Sequence, residues 1–200
     1  GGPSAGKTAV QQVAHEQFGD RLVLVPEAAT LLFSGGFPLP VSDVTRRAAQ
    51  RAIYFVQREL EEACMAHAPE NAVVLCDRGT ADGAAYWKGT PDFFTAVGST
   101  REAEYARYHT VIHLAVPSAG GGYNLHNPTR KETPEEARRV DEGITRAWAG
   151  HPRVCDVSNE TDFVHKLERA MLLIQAVKLG KAEQVIDFLE AKGKIEAWQP

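Results

Sequence analysis

A chain of 200 residues, 44% hydrophobic and 24% charged, has the make-up of an ordinary soluble globular protein and the length of one domain able to bury roughly 70% of its unfolded surface. Its formal net charge of −4 argues against general nucleic-acid binding, while leaving room for a local basic pocket for phosphates. No apolar run approaches the roughly 20 residues of a membrane span. Cys64, Cys76 and Cys155 are odd in number and set in apolar stretches, so they read as reduced packing residues of a cytoplasmic protein.

The first eight residues, Gly1-Gly2-Pro3-Ser4-Ala5-Gly6-Lys7-Thr8, form a complete G-x-x-x-x-G-K-[ST] loop. Its glycines let the backbone curl with N–H groups turned inward. Lys7 can then reach the β- and γ-phosphates of ATP or GTP, and the Thr8 hydroxyl is placed to ligate Mg²⁺. Val10, Val13, Ala14 and Phe18 recur at helical spacing before Gly19, so the loop opens the positive end of a helix. Such a loop follows a strand in the middle of a sheet. That strand is missing from this chain, which begins at the first glycine, and it is expected before Gly1; without it the neighbouring strands carry open hydrogen-bonding edges.

Further along, residues 21–26 (RLVLVP) read as a strand ending at Glu27, with a helical run over 28–33 and a breaking loop, SGGFPLP, over 34–40. Ser42 or Asp43 caps a long helix to about His67, with Ala49, Ile53, Val56, Leu60 and Ala63 on its apolar face. Residues 72–76 (AVVLC) are continuously apolar, like a strand buried on both sides, and deliver Asp77. A helix is expected over 79–87, a short one over 102–108 and a strand over 110–116. A glycine-rich segment, 117–127, precedes Thr133-Pro134-Glu135-Glu136, a capping box that starts a helix with Ala137, Val140, Ile144 and Trp148 on one stripe. A last strand over 153–157, a helix over 162–178 and an amphipathic tail from Gly180 complete the order. Strands alternating with helices imply an α/β fold with a parallel sheet. The expected organisation is a nucleotide-binding domain over 1–178, with a lid at about 117–150, and a helical tail over 179–200 that docks on the domain or on a partner.

Asp77 ends a strand beside the loop, where a carboxylate can hold the Mg²⁺ shell or a reacting hydroxyl; it can also simply terminate the strand. Arg78 adds a phosphate-directed cation, and Asp82 lies one to two helical turns on. Glu27 sits on the strand-end rim where open α/β sheets bind ligands, and it serves either an acceptor hydroxyl or the cap of the next helix. Thr80 and Tyr86 read as structural. Arg130, among Lys131, Arg138 and Arg139, is the candidate lid arginine for neutralising developing charge. Arg46, Arg47 and Arg51 read as a solvated face, and Ser158 and Asn159 lie where a base-contacting loop can run. His109 and His113, about 13 Å apart along a strand, are too distant to share a metal.

GGPSAGKT, VPEAATLLFSGG, LCDRGTADGAAYW, NPTRKETPEEA and the final GHP followed by SNETDF, taken together in this order, resemble the small P-loop ATP/GTP-binding proteins labelled AAA domain. These are similar to the ribosylnicotinamide kinase domain of NadR and the nucleotide-binding domain of TRPL translocation defect protein. The resemblance covers residues 1 to about 175. It implies a P-loop NTPase fold of nucleoside/nucleotide-kinase type, with Gly6, Lys7 and Thr8 holding phosphates and Mg²⁺. It also implies that Asp77 and Arg78 form the Asp-Arg motif, that Arg130 is a lid arginine, and that Glu27 and Asp82 belong to the site. The chain is too short for the separate helical domain of a ring-forming AAA+ machine. The expected function is Mg²⁺-dependent transfer of the γ-phosphoryl of ATP or GTP to a small hydroxyl-bearing acceptor, such as a nucleoside or nucleotide. The alternative is a nucleotide switch or adaptor that hydrolyses slowly and signals through its lid or C-terminal helix. The tail leaves a homo-oligomer or partner contact open. No N-K-x-D motif selects guanine.

Overall fold

The computed structural model describes residues 1–2, 5–116, 133–158, 162–193 and 195–197. Helix α1 (Lys7–Phe18) starts directly from the opening loop and stops where Gly19 turns to φ 52°; strand β1 (Leu22–Val25) follows. After α2 (Ala28–Ser34) comes α3 (Asp43–His67), the longest helix described. Its start is fixed by the Ser42–Thr45 box, in which the Ser42 hydroxyl accepts from Thr45 N–H at 3.2 Å and the Thr45 hydroxyl accepts from Ser42 N–H at 2.9 Å.

Strand β2 (Val73–Cys76) leads to a 3₁₀ turn, Thr80–Asp82, and a single-turn helix α4 (Gly83–Tyr86). The single helix expected over 79–87 is thus divided and shorter. Two more short helices, α5 (Phe93–Ala96) and α6 (Arg101–Tyr105), are capped by Asp92 and Thr100. Strand β3 (Val111–Leu114), α7 (Pro134–Trp148), β4 (Val154–Val157) and α8 (Phe163–Lys178) follow as the sequence predicts, with Thr133 and Asp162 as the N-caps of the helices. In the tail, α9 (Ala182–Ala191) packs on α8, and β5 (Glu196–Ala197) adds an antiparallel strand to β4. Two residues give no periodicity to read, so sequence patterning cannot foresee β5.

The sheet is in two parts. Strands β1 and β2 pair in parallel from Leu22↔Val73 to Val25↔Cys76, and β3 and β4 pair in parallel from Val111↔Val154 to Leu114↔Val157. Between the facing edges of β2 and β3 lies a cavity of about 720 Å³, lined by both strands and reached by Gly1 and Lys7. The two sheets are therefore separated by this cavity, with the start of the loop at its edge.

One expectation about α3 is corrected. The residues of α3 that are buried are Ala49, Gln50, Tyr54, Gln57 and Glu61, whereas Ile53, Val56 and Leu60 are half-buried and Ala63 is exposed. The inward face is turned by about one residue from the apolar stripe because it meets a polar network, in which Glu61 and Tyr54 have partners on the opposing elements. None of the described helices is long and apolar enough to cross a membrane.

Candidate functional site

The loop closes on itself at Gly6, whose φ of +95° lies in the left-handed region and which caps α1. A Cβ there would also meet the Phe163 ring at 2.6 Å, so both conformation and space call for glycine. At the other end of the loop, a Cβ on Gly1 would overlap the Leu114 carbonyl of β3. Ala5 is buried in the core, and Thr8 is exposed in the first turn of α1. Pro3 and Ser4 lie outside the described residues, as do Arg130, Lys131, Asn159 and the expected lid segment up to residue 132.

Lys7 makes no ion pair among the described residues. Its ammonium folds back along the loop and donates to the carbonyls of Gly2 at 3.0 Å and Gly1 at 3.2 Å. Burial, and then the nearby Arg78 guanidinium, lower its pKa from 10.5 to about 8. Asp77, Asp82 and Glu27 favour the Lys7 charge but do not outweigh burial and Arg78.

The second group of charges stands where β2 ends. Asp77 N–H donates to Val25 O of β1 at 3.2 Å, which fixes the backbone as the strand terminates. Its carboxylate accepts from the Gln11 amide of α1 at 2.9 Å. Burial raises the Asp77 pKa, against the opposing pull of Lys7 and Arg78. Arg78 donates to Gly1 O at 2.8 Å, pairs with Asp82 at 3.2 Å, and lies 3.5 Å from Glu27. Burial disfavours the Arg78 charge, yet Tyr86, Asp82, Glu27 and Asp77 hold the guanidinium above its ordinary value. Glu27 does not cap α2 with its side chain; it accepts from the Thr30 hydroxyl and faces Arg78. The structure thus brings Lys7, Glu27, Asp77, Arg78 and Asp82 to one end of the loop. Arg138, Arg139 and Arg51 are exposed on their helices, Arg46 pairs with Asp43, and Arg47 donates to Lys88 O at 3.2 Å.

Several residues that support this group are not among the candidate site residues read from the sequence. Gln11 stands one helical turn after Lys7, so its spacing was a usable signal. Helix α7 contributes two side chains seven residues apart on one face. Asp141 accepts from Gly2 N–H, from Val116 N–H at 3.1 Å and from His113 at 3.0 Å. Trp148 donates its indole N–H to Asp82 at 2.6 Å. Burial disfavours ionised Asp141, but the His113 hydrogen bond and then the His113 charge lead the effects that bring its pKa down to about 2. His113 is buried and also bonds Asp156 at 3.0 Å, and the two carboxylates raise its pKa against the effect of burial.

Behind the 77–82 turn, Tyr108 donates to Glu61 at 2.6 Å while its hydroxyl accepts from Thr80 N–H at 2.7 Å. Thr80 donates to the fully buried Glu104 at 2.7 Å. These acidic residues hold the turn from beneath. Their partners come from elements far apart in the chain, so sequence spacing carries no trace of them.

No group of three or more metal-ligating His, Cys, Asp or Glu residues occurs among the described residues. The oxygen donors of Thr8 and Asp77 suit Mg²⁺, which is commonly held by one or two protein oxygens together with substrate phosphates and water. Gln11 engages Oδ1 of Asp77, and the carboxylate has a second oxygen to offer.

A glycine-turned loop opening a helix beside parallel strands, with a carboxylate at a neighbouring strand end, defines a P-loop nucleotide-binding α/β protein. The family model described as AAA domain matches residues 1–165, and the chain belongs to that family. No curated protein and no solved structure gives a significant match to the chain.

Proposed function

We propose that the chain is a Mg²⁺-dependent phosphotransferase that moves the γ-phosphoryl of ATP or GTP to a small hydroxyl-bearing acceptor, with a nucleoside or nucleotide as the favoured class. The observation that carries this reading is the gathering of Glu27, Asp77, Arg78 and Asp82 at the end of the loop where, among the described residues, the Lys7 ammonium is hydrogen-bonded to loop carbonyls and not paired directly with a carboxylate. Mere nucleotide retention needs the loop and one Mg²⁺-organising carboxylate. A second carboxylate facing a half-buried arginine is what a transfer reaction adds.

In this reading the loop N–H groups and Lys7 bind the phosphates, and Lys7 exchanges its carbonyl partners for phosphate oxygens. Bound Mg²⁺, held through Thr8 and Asp77, would neutralise phosphate charge. Arg78, anchored by Asp82 and Gly1 O, keeps a fixed cation beside the transferring group. Glu27 or Asp77 orients the acceptor hydroxyl and takes its proton. Asp82 is itself oriented by Trp148, so α7 sets the direction of Arg78. Arg130 is proposed as a lid arginine, in a lid spanning about 117–150 of a nucleotide-binding domain over 1–178.

The test is incubation of the protein with γ-labelled ATP and GTP across a panel of nucleosides, nucleotides and sugars. Label appearing on an acceptor supports the transferase. Tight nucleotide binding with no acceptor-dependent product contradicts it and supports a nucleotide switch.

A further inference from the structure

The loop has two unlike ends. Its Gly1 end carries the charges: the Gly1 carbonyl accepts from Lys7 and Arg78, and Arg78 reaches Asp82 and Glu27. Its Gly6 end carries none of these groups and meets an aromatic ring instead. Phe163, the first residue of α8, lies so close to Gly6 that a Cβ there would come within 2.6 Å of its ring edge. Yet Phe163 is 47% exposed and the adjacent Val164 is 59% exposed. The first turn of α8 therefore presents two consecutive apolar side chains to solvent beside a phosphate loop, whereas the interior of the same helix buries Ala170, Leu173 and Ile174 in the core.

A nucleotide is divided in the same way, charged at the triphosphate and flat and aromatic at the base. With the γ-phosphate directed to Lys7, Asp77 and Arg78, the remainder of the molecule leaves the loop away from the charged end. We propose that Phe163, with Val164 beside it, is the platform on which the base of the bound nucleotide stacks. This rests on the reading of the loop as a working nucleotide site and adds the ligand's second half to it. A stacked ring covers exposed apolar area and is tolerant of base identity, because every base has a π-face. A platform of this kind suits a chain with no N-K-x-D motif to select guanine.

The closing experiment titrates MgATP and magnesium tripolyphosphate, which lacks base and ribose, into wild-type protein and into Phe163→Ala, Phe163→Leu and Phe163→Trp. Wild type should bind ATP about 10-fold or more tighter than tripolyphosphate, the order of one base–aromatic stack. Phe163→Ala should lose most of that preference with tripolyphosphate affinity unchanged. Phe163→Leu, which keeps an apolar contact for Gly6 but no π-face, should lose much of it too, and Phe163→Trp should retain it. An unaltered ATP-to-tripolyphosphate ratio in Phe163→Ala overturns the platform. Equal weakening of both ligands also overturns it, since the ring would then act only by packing on the loop. A wild-type protein that binds neither ligand overturns the nucleotide-site reading itself, and the platform with it.

Discussion

The two hydrophobic cores of this molecule differ in kind. The core that joins α1, α8 and α9 to the sheet is mainly aliphatic, with Val10, Leu22, Leu114, Val157, Leu173 and Ile174 buried together. The core around α3 to α7 is largely aromatic, built on Tyr54, Phe93, Phe94, Tyr105 and Trp148. It is also threaded by the polar chain that runs from Glu61 through Tyr108 and Thr80 to Glu104. Aliphatic burial is strong and non-directional, so the first core seats α1 and its loop without dictating orientation. Hydrogen bonds are directional and weaker in net effect, so the second core sets where the 77–82 turn points. Stability and site geometry are thus assigned to different regions, and substitutions should separate them.

The largest effect on stability belongs to the aliphatic side. Leu173→Ala should cost about 2–5 kcal/mol, because Leu173 is 1% exposed and deep in the core. Denaturant unfolding measures the loss, and the folded variant should bind nucleotide with unchanged affinity. A large change in affinity would blur the division between the cores.

The aromatic side should respond the other way. Tyr108→Phe keeps the ring against Trp148 but removes the hydroxyl that joins Thr80 N–H to Glu61. It should destabilise by about 1–3 kcal/mol through the partners left unsatisfied. Acceptor-dependent turnover should fall by about tenfold while nucleotide affinity changes little, the signature of a lost positioning contact. If turnover survives and only stability drops, the network is scaffold and does not orient Asp77 and Arg78.

The same division explains what could be read beforehand. The strands over 22–25 and 73–76 follow from continuous hydrophobic runs, those over 111–114 and 154–157 from short β-branched runs interrupted by His113 and Asp156, and the Ser42 and Thr133 caps from local chemistry. Lys7 was legible from the spacing of the opening motif, and Asp77 and Arg78 from their place at the end of an apolar strand. The buried face of α3 was misjudged because Gln50, Gln57 and Glu61 look like solvent-facing residues until Arg107 and Tyr108 appear opposite them. Asp141 escaped notice for a similar reason, since its partners Gly2, His113 and Val116 lie on the loop and at β3. Periodicity reports where apolar side chains go; it is silent on polar groups whose partners are distant in the chain.

The smallest expected effect on stability is also the most informative on function. Lys7 has a pKa lowered to about 8, below its unfolded value, so between those two values the folded state holds fewer protons than the unfolded one. Stability contributed by this group therefore rises with pH across that window, and at pH 7 the buried charge opposes folding. Lys7→Ala should then melt no lower than wild type. The direct measurement is calorimetric titration of wild type and Lys7→Ala with MgATP from pH 6.5 to pH 9.5, a range chosen to bracket about 8. Wild-type affinity should hold at the acid end and fall as Lys7 loses its proton, since only the ammonium pairs with phosphate. Lys7→Ala should bind about 100-fold more weakly, with no decline of its own in that range. A folded Lys7→Ala that binds MgATP as tightly as wild type would contradict the account, because the opening loop would then not be the phosphate site.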